Sequence, residues 1–235
     1  MRLVKWERLP KNMQTEVVRE YYDVLRKKRF SLFLKRLFDI FVSFVMLLIL
    51  SPFFLLLAIA IKIDSRGPVF YRQERVTQYG KHFRITKFRT MVQNADKIGA
   101  ELTGHKDARI TRVGKIIRKL RLDEFSQLFD VFVGNMTLVG TRPEVPKYVN
   151  AYTPEMMATL LLPAGITANS SIYFADEEKY FEGETDIDKA YIEKVLPRKM
   201  KYNLRALKKF GLFKDLGVML KTVLIVFGKK FKDKD

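Results

Sequence analysis

"IFVSFVMLLILSPFFLLLAIAI", Ile40 to Ile61, is 22 residues long and carries no charge. A run of that length and composition reads first as a helix that enters a bilayer. A buried core helix is the alternative, but core helices rarely lack a polar face. Ser51-Pro52 sits in the middle of the run. Proline removes a backbone donor and clashes with the preceding turn, so a kink or break is expected there. Both flanks are basic: Lys27, Lys28, Arg29, Lys35 and Arg36 precede the run, and Lys62, Arg66, Arg72 and Arg75 follow it. Positive charge normally marks the cytoplasmic side only. Basic flanks at both ends therefore favour a helix that dips into one leaflet and returns over one that spans.

The rest of the composition narrows the function classes. The chain has 235 residues and a formal net charge of +18 at pH 7. That excess attracts phosphate-bearing partners: nucleic acid, anionic headgroups or phosphorylated small molecules. With no cysteine, and only His82 and His105, neither thiolate chemistry, a zinc site nor a histidine triad is expected. The first apolar run begins far from the N-terminus with no cleavage pattern after it, so no signal peptide is expected.

Outward from the apolar run, residues 1–34 read as a polar extension in which Val17 to Leu25 line one helical face, either a surface helix or a solvated segment. Residues 35–63 form the membrane element, residues 64–200 a cytoplasmic domain, and residues 201–235 a basic amphipathic helix and tail suited to a membrane surface. Val69–Val76 and Lys81–Thr90 are rich in aromatic and β-branched residues around Gln78-Tyr79-Gly80, which reads as a β-hairpin with a longer loop. Strand alternation puts Lys87 and Arg89 on one face, as cations aimed at an anion or as a solvated strand end. Residues 92–111 are polar and read as a loop or short helix. Val113, Ile116, Ile117 and Leu120 recur at helical spacing, and so do Phe125, Leu128, Phe129 and Phe132. Between these two patterns stand Asp123 and Glu124. A carboxylate at a helix start is favoured by the free amides and the dipole, which is the plain explanation of the pair. The acidic stretch "ADEEKYFEGETDID" reads as solvated surface.

In order, the chain presents "KRLFD" (Lys35 to Asp39), the apolar run with Ser51-Pro52, "GPVFYRQERV", "KFRTM" (Lys87 to Met91), "VGKIIRKLRLDEFSQLFDVFVGNMTLVGTRPE" (Val113 to Glu144) and a late "PAGIT". This ordered set resembles the bacterial sugar transferases, the monotopic polyprenyl-phosphate phosphoglycosyl transferases, over roughly Lys35 to Thr167. The resemblance implies an α+β, mainly helical fold: a re-entrant helix-break-helix at Ser51 and Pro52, interfacial amphipathic helices, and a small cytoplasmic domain with a short β-hairpin. It implies Asp123 as nucleophile, Glu124 beside it as a ligand of Mg²⁺, and Lys87, Arg118 and Arg142 as cations around phosphate. Arg36, with Lys35 and Asp39, matches the motif at the mouth of the membrane helix and is expected among the phosphate-binding groups.

The implied reaction moves a sugar 1-phosphate from a nucleoside diphosphate sugar, a UDP-sugar, to undecaprenyl phosphate, on the cytoplasmic face of the bacterial inner membrane and in contact with its phospholipids. Both reactants are anions, so cations must cancel their repulsion for each other and for the nucleophile. Asp123 at a helix start amid cations is expected to stay ionised. Oligomeric state, a homo-oligomer included, is left open. Three departures from the family pattern stand out: Thr141 in place of proline before Arg142-Pro143, Phe125-Ser126 after the acidic pair, and "AGITANSSIYFADEE" where a tryptophan-containing stretch is usual. A different sugar preference is the first explanation, and a changed or lost activity the second. Two other classes compete. A membrane-surface adaptor needs charge and apolar anchors but not Asp123 or a metal. A nucleic-acid binder fits the charge but not the Ile40–Ile61 run, and no standard nucleic-acid motif is present.

Overall fold

The computed structural model describes residues 1, 3–95, 107–174, 180–181, 183–226, 228–229 and 231. Part of the loop expected over 92–111 and part of the acidic stretch, with His105, lie outside the described residues.

The extension before the membrane run is core. Helix α1 (Glu16–Lys27) starts at Thr15, whose hydroxyl accepts from the Val18 amide at 3.4 Å. Val18, Tyr21, Tyr22 and Leu25 recur every three or four residues and are at most 2 % exposed. They pack with Leu3, Leu9 and Met13 and with residues 145–210 in the larger of two apolar clusters. Burying each such side chain contributes about 1.5–3 kcal/mol. Neither a surface helix nor a solvated segment describes this region.

Helix α2 (Arg29–Asp64) is 36 residues long, about 54 Å at 1.5 Å per residue. One stripe of it is buried: Leu32, Lys35, Asp39, Ser43, Phe54 and Ile61, at helical spacing. The opposite face is apolar and bare, with Phe41, Leu48, Ile49, Leu55, Leu56 and Ile63 exposed. Only 11 % of its most apolar 18-residue window is buried, which removes the core-helix alternative. Ser51 and Pro52, expected to break the helix, lie inside a continuous one. Pro52 cannot donate to the Leu48 carbonyl four residues back. The Ser51 hydroxyl donates to that carbonyl instead, at 2.8 Å. A donor missing from the ladder is thus supplied by the neighbouring side chain, and the helical conformation runs on.

The hairpin forms as expected: β1 (Phe70–Val76) pairs antiparallel with β2 (His82–Phe88) around a turn at Gln78–Gly80. Helix α3 (Arg112–Lys119) follows, then a 3-10 segment Leu122–Gln127 that runs into α4 (Leu128–Val133). Strand β3 (Met136–Val139) pairs in parallel with β4 (Ala164–Thr167), an element not expected from the sequence. At the end of this pair a Cβ on Gly165 would stand 2.2 Å from the Gly140 nitrogen, so the two backbones meet without room for a side chain. Short helices α5 (Pro146–Val149), α6 (Asn169–Tyr173) and α7 (Ile187–Ala190) join the rest. The expected single C-terminal amphipathic helix is two helices, α8 (Leu196–Lys208) and α9 (Leu212–Val226), with Gly211 between them. Helix α8 buries Met200, Leu204 and Leu207 in the core. Helix α9 leaves Phe213, Leu220 and Val223 exposed, as a surface-lying helix would.

Candidate active site

The site forms where β2 meets the segment after α3. Strand β2 has β1 on one edge. Its other edge is caught by side chains: Thr86 N–H donates to Asp130 Oδ2 at 2.8 Å, and Ser126 Oγ donates to the Thr86 carbonyl at 3.0 Å. These two bonds set the next residue, Lys87, against the acidic pair, with its Nζ 3.8 Å from Glu124 Oε1.

Asp123 and Glu124 fall in the first turn of Leu122–Gln127, but neither caps it. The cap position belongs to Arg121, in the left-handed region at φ 54°, ψ 27°, with no side-chain cap bond. Helix capping therefore does not account for the pair. Arg142 grips Glu124 with both terminal nitrogens, Nη1 to Oε2 at 3.1 Å and Nη2 to Oε1. Bidentate pairing of this kind fixes geometry as well as charge. Among the described residues the Asp123 carboxylate has no ion pair and no side-chain hydrogen bond; its own backbone amide bonds to it.

Arg118 is brought in by close helix seating. A Cβ on Gly114 would lie 2.0 Å from the Thr90 carbonyl oxygen, so glycine lets α3 rest directly on the end of the β2 chain. The Thr111 hydroxyl accepts from Gly114 N–H at 3.0 Å, and Asp64 at the end of α2 accepts from Val113 N–H at 2.8 Å. One turn on, Arg118 Nε donates to Thr90 Oγ1 at 2.9 Å. Its charge acts on Asp123 from there.

The two carboxyls are driven apart. Burial alone would raise Glu124, but the Arg142 guanidinium, with help from Lys87 and Arg121, holds it down to about 2. Asp123 is raised from its ordinary value, first by burial and then by the neighbouring Glu124 charge, against the pull of Lys87 and Arg118. This corrects the simple expectation that cations alone set its state. Lys87 is lowered, mainly by burial and further by Arg142 and Arg75, against the pull of Glu124. Adjacent carboxyls with opposed shifts are suited to different tasks.

Lys87, Arg118 and Arg142 thus converge with Asp123 and Glu124. Arg36 does not join them: it donates to the carbonyls of Val131 and Phe132 at 2.6 and 2.9 Å, finishing α4 at its C-terminus. Lys35 pairs with Asp215 at 2.7 Å, and Asp39 accepts from the Thr137 hydroxyl at 2.6 Å and Leu138 N–H at 3.2 Å, so both fasten α2 to the domain. Arg89, expected to face an anion beside Lys87, is 5 % exposed and lies beyond the end of β2. It donates to the carbonyls of Arg66 and Ser65 at 2.8 and 2.7 Å, closing the end of α2. Thr90 and Asp64 were not singled out from the sequence, and Ser126 only as a departure from the family pattern. Each is a single polar residue whose role arises from a partner far along the chain.

A magnesium ion takes one or two carboxylates and completes its shell with water and substrate phosphates. Among the described residues no group of three or more His, Asp and Glu is placed to hold a metal. Asp123 and Glu124 fit an ion that arrives with a diphosphate rather than one held by protein alone. Glu124 retains lone pairs for it beside Arg142.

Residues 30–229 match the bacterial sugar transferase family. The chain is 36% identical over 197 residues to the UDP-N-acetylgalactosamine-undecaprenyl-phosphate N-acetylgalactosaminephosphotransferase of Aeromonas hydrophila, covering 81% of this chain and 43% of that protein. It is 35% identical over 201 residues to the UDP-glucose:undecaprenyl-phosphate glucose-1-phosphate transferase of Klebsiella pneumoniae, covering 83% and 40%. With the exopolysaccharide production protein ExoY of Rhizobium meliloti it shares 30% identity over 204 residues, covering 80% of this chain and 83% of that one. The chain therefore spans about two fifths of the first two relatives and most of the third. With a family match from the start of α2 to beyond α9, the chain belongs to the bacterial sugar transferase family.

Proposed function

We propose that the chain is a phosphoglycosyl transferase that moves a sugar 1-phosphate from a UDP-sugar to undecaprenyl phosphate and releases UMP, as the first membrane step of a bacterial glycan pathway. The observation that carries this reading is the Asp123 carboxylate: among the described residues it has no ion pair and no side-chain hydrogen bond, it adjoins a Glu124 clamped by Arg142, and it lies within the field of Lys87 and Arg118.

Asp123 Oδ attacks the phosphorus bonded to the sugar, and the bond from that phosphorus to the bridging oxygen breaks. UMP leaves with the bridging oxygen and the electron pair. An oxygen of undecaprenyl phosphate then attacks the same phosphorus and frees the Asp123 carboxylate, giving the undecaprenyl diphosphate sugar. Lys87, Arg118 and Arg142 offset the negative charge that gathers at phosphorus and at the leaving oxygen. Mg²⁺, when bound, would be held by Glu124 and Asp123 with the diphosphate, and would stabilise the leaving group. The relatives' names include N-acetylgalactosamine, glucose and galactose, so the sugar is left to experiment.

Placement of α2 on one side of the bilayer is part of the proposal. Its support is that both halves of α2 are bonded to the same polar domain: Asp39 to β3, Asp64 to α3, and the Ser65 carbonyl to Arg89. A crossing helix separates its ends by the ~30 Å hydrocarbon core. A helix that bends at Ser51-Pro52 and stays on the cytoplasmic face keeps both ends at one surface, next to an acceptor whose phosphate lies there and whose chain stays in lipid.

UMP release with Mg²⁺, undecaprenyl phosphate and a panel of UDP-sugars tests the reading, with Asp123→Asn as control. Turnover with one donor, lost in the variant, is expected. Wild-type turnover in Asp123→Asn would overturn the role of Asp123.

A further inference from the structure

Arg142 is held from behind by a buried polar assembly that the chemistry above does not use. Two residues beyond it, Glu144 is 6 % exposed, and it is met by Tyr191 and Lys199, at 4 % and 6 %. Tyr191 OH donates to Glu144 Oε1 at 2.7 Å, Lys199 Nζ stands 3.3 Å from the same oxygen, and Lys199 Nζ donates to Tyr191 OH at 2.9 Å. The three groups thus close a ring of contacts. The Tyr191 ring is fixed in turn against Tyr148, with centroids 4.2 Å apart. The loop backbone is tied on its other side: Val76 N–H donates to the Glu144 carbonyl at 3.0 Å, and Arg75 Nη1 to the Pro143 carbonyl at 3.3 Å.

A buried ion pair gains little or nothing in stability over apolar side chains of the same volume. What it supplies here is direction. Apolar packing would allow the Thr141–Glu144 loop to slide, whereas two polar contacts on one carboxylate, themselves joined by a third, do not. Pro143 removes one further freedom between that carboxylate and Arg142. Tyr191 and Lys199 come from the last third of the chain, while the residues around the phosphates come from β2, α3, the Leu122–Gln127 segment and the loop after β3.

We infer that Glu144, Tyr191 and Lys199 are positioning residues that hold the Thr141–Glu144 loop so that Arg142 grips Glu124 in the bidentate geometry the reaction needs. The inference rests on the proposed function and deepens it. The assembly makes the C-terminal helical segment a working part of the site rather than only an anchor.

Tyr191→Phe removes one hydroxyl and keeps the ring stack, so it separates positioning from folding. The full chain in lipid nanodiscs is compared with Tyr191→Phe and Lys199→Met, alone and in an Arg142→Lys background. Turnover by the unaltered chain is the control for the reaction itself: its absence would sink the proposed function and not this inference alone. With the control active, Tyr191→Phe is expected to keep the unfolding temperature while kcat/KM falls, toward the ~10²-fold that a misplacement of about 1 Å costs. In the Arg142→Lys background the same change should have little further effect, as for residues acting through one another. Equal losses in both backgrounds, or unchanged kcat/KM in a folded Tyr191→Phe, would each overturn the inference. Lys199→Met that loses the fold while Tyr191→Phe is silent would mark the assembly as structural only.

Discussion

Arg142 reaches a residue 18 positions earlier, Glu124, and takes both of its carboxylate oxygens, leaving the adjacent Asp123 as the member of the pair with no ion pair among the described residues. Two neighbours of one chemical type are thereby given different states. Glu124 is a fixed charge, and Asp123 is a carboxylate whose ionisation its surroundings oppose.

Asp123→Asn separates activity from stability. The folded-state pKa of Asp123 is raised, so its ionised form weakens the native state above the ordinary value of 3.8. Removing the charge should abolish UMP release and leave the unfolding temperature at neutral pH unchanged or higher. A lowered unfolding temperature in thermal denaturation would count against the burial and repulsion assigned to this carboxyl.

Glu124 works in the opposite sense. Its folded pKa of about 2 lies below the ordinary 4.5, so the stability it contributes is present above 4.5 and is lost as pH falls toward 2. Arg142→Ala should cost up to about 3 kcal/mol by leaving that buried carboxylate with only the longer Lys87 contact. It should also flatten the acid dependence of stability in this window. Denaturant unfolding from pH 2 to 6 in the two proteins measures both effects.

The pH–rate profile should be narrow. Attack requires ionised Asp123 and charge cancellation requires protonated Lys87. The first is raised above 3.8 and the second lowered below 10.5. The acid limb of kcat/KM should therefore fall above the ordinary aspartate range and the alkaline limb below the ordinary lysine range. An alkaline limb unmoved in Lys87→Arg would assign it to another group.

Gly114→Ala should act at a distance. Its Cβ would meet the Thr90 carbonyl at 2.0 Å, forcing α3 away and carrying Arg118 from Thr90. A loss of about 1–3 kcal/mol is expected from the overpacking, with kcat/KM reduced as well. Unchanged unfolding and turnover would show that α3 has freedom at this contact.

Because the chain contains no cysteine, single cysteines report the disposition of α2 cleanly. Arg29→Cys and Ser65→Cys, at either end of the helix, should both react with an impermeant maleimide from the cytoplasmic side. Labelling from opposite sides would establish a crossing helix.

The elements written in local periodicity were legible in the sequence. The apolar run, the β1–β2 hairpin and α3 needed only composition and spacing. The grouping of Asp123 and Glu124 with Lys87, Arg118 and Arg142 came instead from the resemblance of the ordered motifs to the bacterial sugar transferases. What escaped depended on partners far along the chain. The α1 stripe reads as half polar until residues 145–210 close over it. The parallel pairing of β3 with β4 joins residues 28 apart, Met136 with Ala164, with no local turn to announce it. Arg36 and Arg89 carry the right charge for phosphate, yet the open carbonyls at the ends of α4 and α2 claim them first. Ser51 and Pro52 lie within one helical segment, where the Ser51 hydroxyl donates to the Leu48 carbonyl.

The central claim, attack by Asp123 before the acceptor arrives, is tested most directly by mixing enzyme, Mg²⁺ and the active UDP-sugar with no undecaprenyl phosphate. One equivalent of UMP per enzyme should appear in a burst, together with a mass increase of one sugar phosphate on the peptide bearing Asp123, both absent from Asp123→Asn. Full turnover on adding undecaprenyl phosphate, with no UMP and no adduct before it, would contradict the covalent route and require direct transfer between the two substrates.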